Sequence, residues 1–228
     1  MVMNDYSERF YQRHARRYAE VSSQFLQSVY VKSSHQRLKN DWDLLERLKQ
    51  LSSGKRGLDA GCGAGARDVY ALWSWGYDIW GIDAVSENIE VAIEKHPEIA
   101  DRVSVADLRQ PLEFPDASFD FVMCNAVIQH IEPAVVESVT LPELARVIKP
   151  GGILQLMFKH GAGLITIFDK DYGVGRTFQL YDEYKILSVL EQNSVVLIET
   201  ESPEELGGIM YFTDPKQAEH CVLFARKR

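Results

Sequence analysis

The run Gly57-Leu58-Asp59-Ala60-Gly61-Cys62-Gly63-Ala64-Gly65-Ala66 constrains this chain more than any other stretch. It reads as a buried strand that ends near an acid, turns through glycines and opens a helix. Glycine there lets the backbone take dihedrals that a Cβ would forbid, and lets it approach a ligand closely. The helix beyond the turn presents N–H groups with no intrahelical partner to an anionic or polar group. Such a unit points to an α/β sheet with a nucleotide-like cofactor at its carboxyl edge.

Two cofactors satisfy the turn. Gly61-x-Gly63-x-x-Ala66 meets the dinucleotide fingerprint. Asp59-x-Gly61-x-Gly63-x-Gly65 instead sets a carboxylate beside the glycines, which suits an ammonium-bearing ligand and repels a pyrophosphate. S-adenosylmethionine (SAM) has an amino-acid end and no phosphate. A tight turn with no ligand is the third account.

Downstream residues supply the context. Tyr77–Asp83 reads as a second strand ending in an acid, and Asp83 follows Gly61 by 22 residues, near the spacing of a ribose-binding carboxylate. One carboxylate can accept from both hydroxyls of a ribose; the other reading of Asp83 is a helix cap. Val103–Leu108 is a short third strand whose Asp107, with Leu108 beside it, suits an adenine amine. Phe119–Ala126 is a fourth apolar strand with Asn125 near its end. Polar groups at successive strand ends converge on one crevice.

With these residues in place the chain resembles the class I SAM-dependent methyltransferases. The resemblance is carried by Leu58–Gly65, Gly81-Ile82-Asp83, Ala106-Asp107-Leu108, Phe114–Asp120, Gln129-His130-Ile131 and Leu144–Gly152, in order, over roughly residues 55 to 158. It implies SAM as cofactor and a doubly wound, Rossmann-like α/β fold. The implied sheet has seven strands in the order 3-2-1-4-5-7-6, with the last strand antiparallel and a helical lid at the N-terminus. It also implies that Gly61, Gly63 and Gly65 hold the amino-acid end, Asp83 the ribose and Asp107 the adenine, with Asp59, Cys62, Ala84 and Leu108 as further cofactor-binding residues. Asn125 lies beside them, and Tyr11 and Tyr18 on the lid.

Composition agrees. With 228 residues, 46% hydrophobic and 25% charged, the chain suits one domain, residues 1–228. Within it, 1–52 form the N-terminal helices, 53–158 the cofactor core and 159–228 the substrate-side loops and last strands. A net charge of −8 disfavours a nucleic-acid partner, which calls for a basic field. Cys62, Cys124 and Cys221 have no paired spacing and fit reduced thiols of a cytoplasmic protein. No apolar run suits a membrane span, and no His/Cys cluster has metal-ligand spacing. The oligomeric state is left open.

Helices are expected at 5–30, with Phe10, His14, Tyr18, Val21, Phe25 and Val29 as its stripe, and at 34–51. Others are expected at Ala66–Ser74, Ser86–His96, Ala134–Val147 and Tyr181–Glu191, with later strands at Ile153–Phe158, Val195–Glu201 and Cys221–Arg226. Substrate choice falls to three variable parts: the N-terminal helix, a long glycine-rich loop from Lys159 to Arg176, and the segment Pro203–His220. Within the last, Met210, Tyr211 and Phe212 roof a pocket or cover an edge.

Methyl transfer needs in-line positioning first and a general base only where the nucleophile must lose a proton. His130 after the fourth strand and His160 after the fifth are the candidates, with His14 behind them. The sequence thus points to methyl transfer from SAM to an oxygen or nitrogen of a small molecule. A nucleic-acid or protein methyltransferase, an NAD-dependent oxidoreductase and a non-catalytic SAM-binding subunit remain as alternatives.

Overall fold

The structure, a computed structural model, describes residues 3–25, 28–200 and 202–228. Helix α1 (Met3–Phe25) is followed by β1 (Lys32–Ser33), α2 (Asp41–Leu51), β2 (Arg56–Ala60), α3 (Arg67–Ser74), β3 (Asp78–Asp83), α4 (Ser86–Lys95) and β4 (Val103–Val105). Then come β5 (Phe119–Asn125), α5 (Pro133–Val135), α6 (Leu141–Val147), β6 (Ile148–Lys159), β7 (Gly163–Asp169) and β8 (Val174–Leu180). The chain ends with α7 (Glu183–Gln192), β9 (Val195–Leu197), β10 (Ile209–Thr213) and β11 (Glu219–Lys227). A π turn, Val136–Thr140, joins α5 to α6.

Alternation along the central strands builds the layers. In β5, Val122 and Cys124 join Leu154, Leu156 and Leu223 in a core closed by Leu144 of α6 and Ile186 of α7. Phe121 and Met123 point the other way, joining Ile153 and Phe224 under Leu44 of α2 and Leu72 of α3. Both faces of the sheet are therefore covered, as parallel strands require. Gly57 is needed here, because a Cβ would sit 2.1 Å from the Phe121 ring.

The sheet has nine strands rather than the expected seven. Its order is β1-β10-β11-β6-β5-β2-β3-β4, and β9 also pairs with β11. Strands β4, β3, β2, β5 and β6 are mutually parallel, and β11 runs antiparallel to β6. The extra strands, β1 and β10, come from connecting segments for which no strand was expected. In β10, Met210 and Phe212 are buried while their neighbours are half-exposed. That period of two is a strand signal, hidden in sequence among the prolines, glycines and acids around it.

Other boundaries moved for local reasons. α1 ends at Phe25, and Val29 lies beyond it, exposed; the Phe25 side chain expected in the apolar stripe lies outside the described residues. α2 starts only at Asp41, because Asn40 and Asp43 form a reciprocal capping box. α7 starts after Asp182, whose side chain accepts from the Tyr184 and Lys185 N–H groups. Of the expected strand at 195–201 only Val195–Leu197 pairs, and Glu201 lies outside the described residues. The glycine-rich loop is largely a hairpin, β7 against β8. No helix among the described residues is long and apolar enough to cross a membrane.

Candidate cofactor and acceptor site

The chain winds from β2 to β3 to β4 on one side of β2, then crosses to β5 on the other. Strand order therefore reverses between β2 and β5, the place where open α/β sheets bind ligands beyond their carboxyl ends. The glycine turn leaves β2 there. The Gly61 and Cys62 N–H groups both donate to Ile82 O of β3, at 2.8 and 2.9 Å, which folds the turn back over the strand. Gly61 has φ +99°, and a Cβ on it would lie 2.2 Å from Val127.

Two cavities meet over this turn. The first, about 110 Å³, is lined by Gly61 and Gly63, Asp83 and Ala84 after β3, and Asp107 and Leu108 after β4. Asp83 accepts from the Gly63 N–H (2.9 Å), the Val85 N–H (2.9 Å) and Asn88 Nδ2 (3.0 Å). Burial raises its pKa, and those three bonds oppose the rise. A carboxylate offers about four lone-pair sites, so one remains for a ligand hydroxyl. Asn88 Oδ1, buried nearby, has no protein partner. Asp107 is held by Arg109, whose guanidinium also reaches Glu8 of α1 at 3.4 Å.

The second cavity, about 640 Å³, shares Gly61, Gly63, Asn125, Tyr11 and Tyr18 with the first. It continues past Asp59 and Cys62 toward Gln155, Lys159, Arg176 and His220. Asp59 is 4% exposed. Burial, then the charges of Asp68 and Asp83, raise its pKa well above the usual carboxylate range, while Arg67 opposes. That arginine is already committed to Asp68 at 2.6 Å and Asp41 at 2.9 Å. Burial and the same acids push the Cys62 thiol up, so it stays protonated.

Beside the turn, Ala126 takes φ +59° and its N–H donates to Met157 O at 2.8 Å. Ala66 takes φ +40° at the start of α3. Left-handed alanine costs about 1–2 kcal/mol, and such strain gathers at functional sites.

Tyr11 and Tyr18 reach both cavities from α1. His130 lines the first cavity with both ring nitrogens engaged: Nδ1 lies 3.0 Å from Ser7 Oγ and Nε2 3.2 Å from Tyr11 Oη. Arg176 donates to Tyr11 Oη at 2.6 Å. The phenol then donates to Nε2, which leaves Nδ1–H to donate to Ser7; this tautomer is assigned from the network. Burial, with Arg176 and Lys159 nearby, holds the His130 pKa well below that of a free histidine.

Two expected site residues fall outside the cavities. His160 lies one residue past Lys159 on β6, so it points to the opposite face of the sheet. There it meets Glu183 at 2.9 Å and packs against Tyr211. Gly65 lines neither cavity; at φ +111° it lets α1 approach, with Ala19 3.3 Å from where its Cβ would be. His14 packs between Phe10 and Tyr172. Asp169 pairs with Arg176 and Lys216. Among the described residues no three His, Cys, Asp or Glu side chains are placed to hold a metal.

Sequence reasoning missed Arg109 and gave no role to Lys159, Arg176, Gln129, Gln155 or His220. The signal for part of this set was the two-residue step Gln155, Met157, Lys159 along β6, which faces all three to one side.

The residues fit SAM. The glycines leave a cradle that a Cβ would fill: at Gly63 it would lie 3.1 Å from Tyr18. Asp83 retains acceptor capacity for a ribose. The acids around the turn favour a cation there and oppose the pyrophosphate of a dinucleotide.

Comparison with known proteins gives the same family. The methyltransferase-domain family model matches residues 58–156. The 2-methyl-6-phytyl-1,4-hydroquinone methyltransferase of Synechocystis is 34% identical over 107 residues, 47% of this chain and 33% of that protein. The ubiquinone biosynthesis O-methyltransferase of Rickettsia conorii is 28% identical over 206 residues, 88% of this chain and 65% of that protein. The chain spans about a third of the length of the first curated relatives it matches. A TehB-like SAM-dependent methyltransferase from Corynebacterium glutamicum shares the fold, with a TM-score of 0.63 at 19% identity over 95% of this chain and 99% of that one. Glycine turn, strand-end acids and family model agree: residues 58–156 match the methyltransferase-domain family, and the chain resembles the class I SAM-dependent methyltransferases.

Proposed function

We propose that this chain transfers a methyl group from SAM to an oxygen or nitrogen of a small-molecule acceptor. The observation that carries the reading is the pair of cavities joined at Gly61, Gly63, Asn125 and Tyr18. The smaller has strand-end acids suited to adenosine. The larger, at about 640 Å³, has room for a drug-sized acceptor.

Bound SAM supplies an electrophilic methyl on a sulfonium. The chain's own residues do the rest. Asp83 and Asp107 position the nucleoside, and Asp59 with the glycine turn receives the ammonium end. Cys62, Ala84, Leu108 and Asn125 close the walls. Tyr11 and Tyr18 roof both cavities, so α1 serves as a lid that excludes water and fixes the line of approach. His130 positions that lid through Tyr11 and Ser7. His160, on the far face of β6, has no path to the acceptor.

Residues 1–228 form one domain on this reading: lid helices at 1–52, a cofactor core at 53–158, and acceptor-side elements at 159–228. The sheet then follows the family's 3-2-1-4-5-7-6 order, with β10 and β1 added beyond it. The second cavity, at about 640 Å³, suits a small molecule rather than a polynucleotide, and the chain's −8 charge agrees. Unpaired cysteines, two of them buried, suit a reducing cytoplasm.

Parallel isothermal titrations with SAM, S-adenosylhomocysteine and NAD test the reading. Micromolar binding of both adenosyl ligands without NAD is expected. Binding of NAD alone would overturn it.

A further inference from the structure

Lys159 is 5% exposed, yet among the described residues it has no carboxylate partner within ion-pair distance. Its Nζ lies 3.3 Å from His220 Nε2 and 4.7 Å from the centre of the Phe178 ring. His220 Nδ1 lies 3.1 Å from Ala218 O and 3.9 Å from Asp214. Nδ1 therefore carries the imidazole proton, and Nε2 accepts from Lys159. An ammonium has three N–H groups. One goes to His220 and one faces the Phe178 ring, which leaves the third for the second cavity.

Tyr11, Tyr30, Phe178 and Phe212 supply aromatic faces. Gln155, 1% exposed, donates to Asn125 while its Oε1 has no protein partner. The other cations of this region, Arg176 and Lys216, are already paired with Asp169. Lys159 has no carboxylate at ion-pair distance among the described residues, and Asp214 and Asp169 act on it from further away.

We propose that Lys159, oriented by His220, binds the ionised hydroxyl oxygen of the acceptor, and that the acceptor is a phenol. The inference rests on the methyl-transfer reading and names its substrate class. Lys159 as an amine takes the hydroxyl proton, and the phenolate stays paired with the ammonium so formed. The phenolate oxygen then forms the new C–O bond as the methyl's C–S bond breaks, with that electron pair going to sulfur. The negative oxygen and the positive sulfur are neutralised together, and the Lys159 proton passes to solvent when product leaves.

The surroundings suit this role. Burial lowers the Lys159 pKa to about 8, assisted by Arg176 of β8 and by Lys216, and opposed by Asp214 and by Asp169 of β7. His220 of β11 faces it and is held neutral, its pKa well lowered by burial and by Lys159 itself.

The test is binding of 4-nitrophenol, whose ionised form is coloured, to protein saturated with S-adenosylhomocysteine, at a pH below the phenol's solution pKa. The wild type should bind it as phenolate, at least about tenfold tighter than 4-nitroanisole, which cannot ionise. Lys159→Met should lose both the preference and the phenolate band while keeping its affinity for S-adenosylhomocysteine; Lys159→Arg should keep the preference. Equal wild-type affinity for phenol and anisole overturns the proposal, as does a Lys159→Met protein that still binds phenolate. Tighter binding of 4-nitrobenzoate than of 4-nitrophenol also overturns it, in favour of a carboxylate ligand. Failure of the adenosyl ligand to bind is seen separately by calorimetry and refutes the underlying methyl-transfer reading instead.

Discussion

Asp59→Asn is expected to stabilise the ligand-free protein and to weaken its hold on the cofactor. The carboxylate is 4% exposed and pairs with no cation among the described residues, because Arg67 serves Asp41 and Asp68. Burial first, then Asp68, hold its pKa well above the usual range. A folded-state pKa above the unfolded one means that the folded state binds the proton more tightly. The stabilisation is complete below the unfolded carboxyl pKa, about 4, and is lost as pH rises toward the folded value. Asparagine keeps the shape and cannot ionise, so it removes that loss.

A buried, incompletely paired polar group costs about 1–3 kcal/mol. Taking about 1 kcal/mol, the melting temperature should rise by about 2–4 °C for a chain of this size. On the ligand side, a hydrogen bond to a charged group contributes about 1.5–3 kcal/mol, so S-adenosylhomocysteine should bind about 10–150-fold more weakly. Thermal melts between about pH 5 and 8, with and without that ligand, read both effects. The wild-type advantage from ligand should grow with pH, and the variant's should not. A variant that melts lower without ligand, or binds as tightly as wild type, refutes the reasoning.

Asp83→Ala removes the ribose acceptor and releases the Gly63 N–H; calorimetry should show a loss of about 1.5–3 kcal/mol in S-adenosylhomocysteine affinity, and unchanged affinity would sink the assignment. Gly63→Val combines φ +66° with a Cβ 3.1 Å from Tyr18, a strain of about 1–2 kcal/mol in the cradle, so binding should vanish from a chain that still unfolds cooperatively. His160→Gln should leave cofactor affinity and methyl transfer near wild type; a large drop in turnover would place the chemistry on the other face of β6. Ala126→Gly relieves left-handed strain of about 1–2 kcal/mol less glycine's entropic cost of about 0.5–1, so a melt should show equal or higher stability.

The cofactor half of the site was legible because its signals are local. A glycine turn, an acid 22 residues on and polar strand ends follow from spacing along continuous chain. The acceptor half was not, because it is built across elements distant in sequence: Lys159 meets His220 across the β6–β11 pairing. His160, the candidate named from sequence, lies one residue past Lys159, and on a strand a one-residue step reverses the face. His130 lines the first cavity, but its engagement by Ser7 and Tyr11 depends on where α1 docks, which helix periodicity alone does not reveal. The glycine-rich segment after β6 concealed a hairpin because β7 leaves Leu164 and Phe168 exposed, so no burial pattern marks it as a strand.

Charge is distributed unevenly across the second cavity, and this bears on why the fold here selects SAM. Asp41, Asp59 and Asp68 gather near the glycine turn with Arg67 as their shared counter-ion. Lys159, Arg176 and Lys216 lie on the part built from β6, β8 and the turn before β11. A cation is favoured at the first group; in the second, Asp169 and Asp171 already pair with Arg176 and Lys216, so an anion is favoured beside Lys159. A sulfonium cofactor and an ionised acceptor would therefore each sit against complementary charge, and would approach one another in a cavity partly shielded from water. Coulomb attraction between them is strongest in such surroundings, and methyl transfer cancels both charges. A dinucleotide would meet the opposite arrangement, with its pyrophosphate set among the acids. The line Arg176, Tyr11, His130, Ser7 then ties α1 to both cavities at once. If α1 is the lid proposed above, closing it over one cavity closes it over the other and holds the two reactants in line.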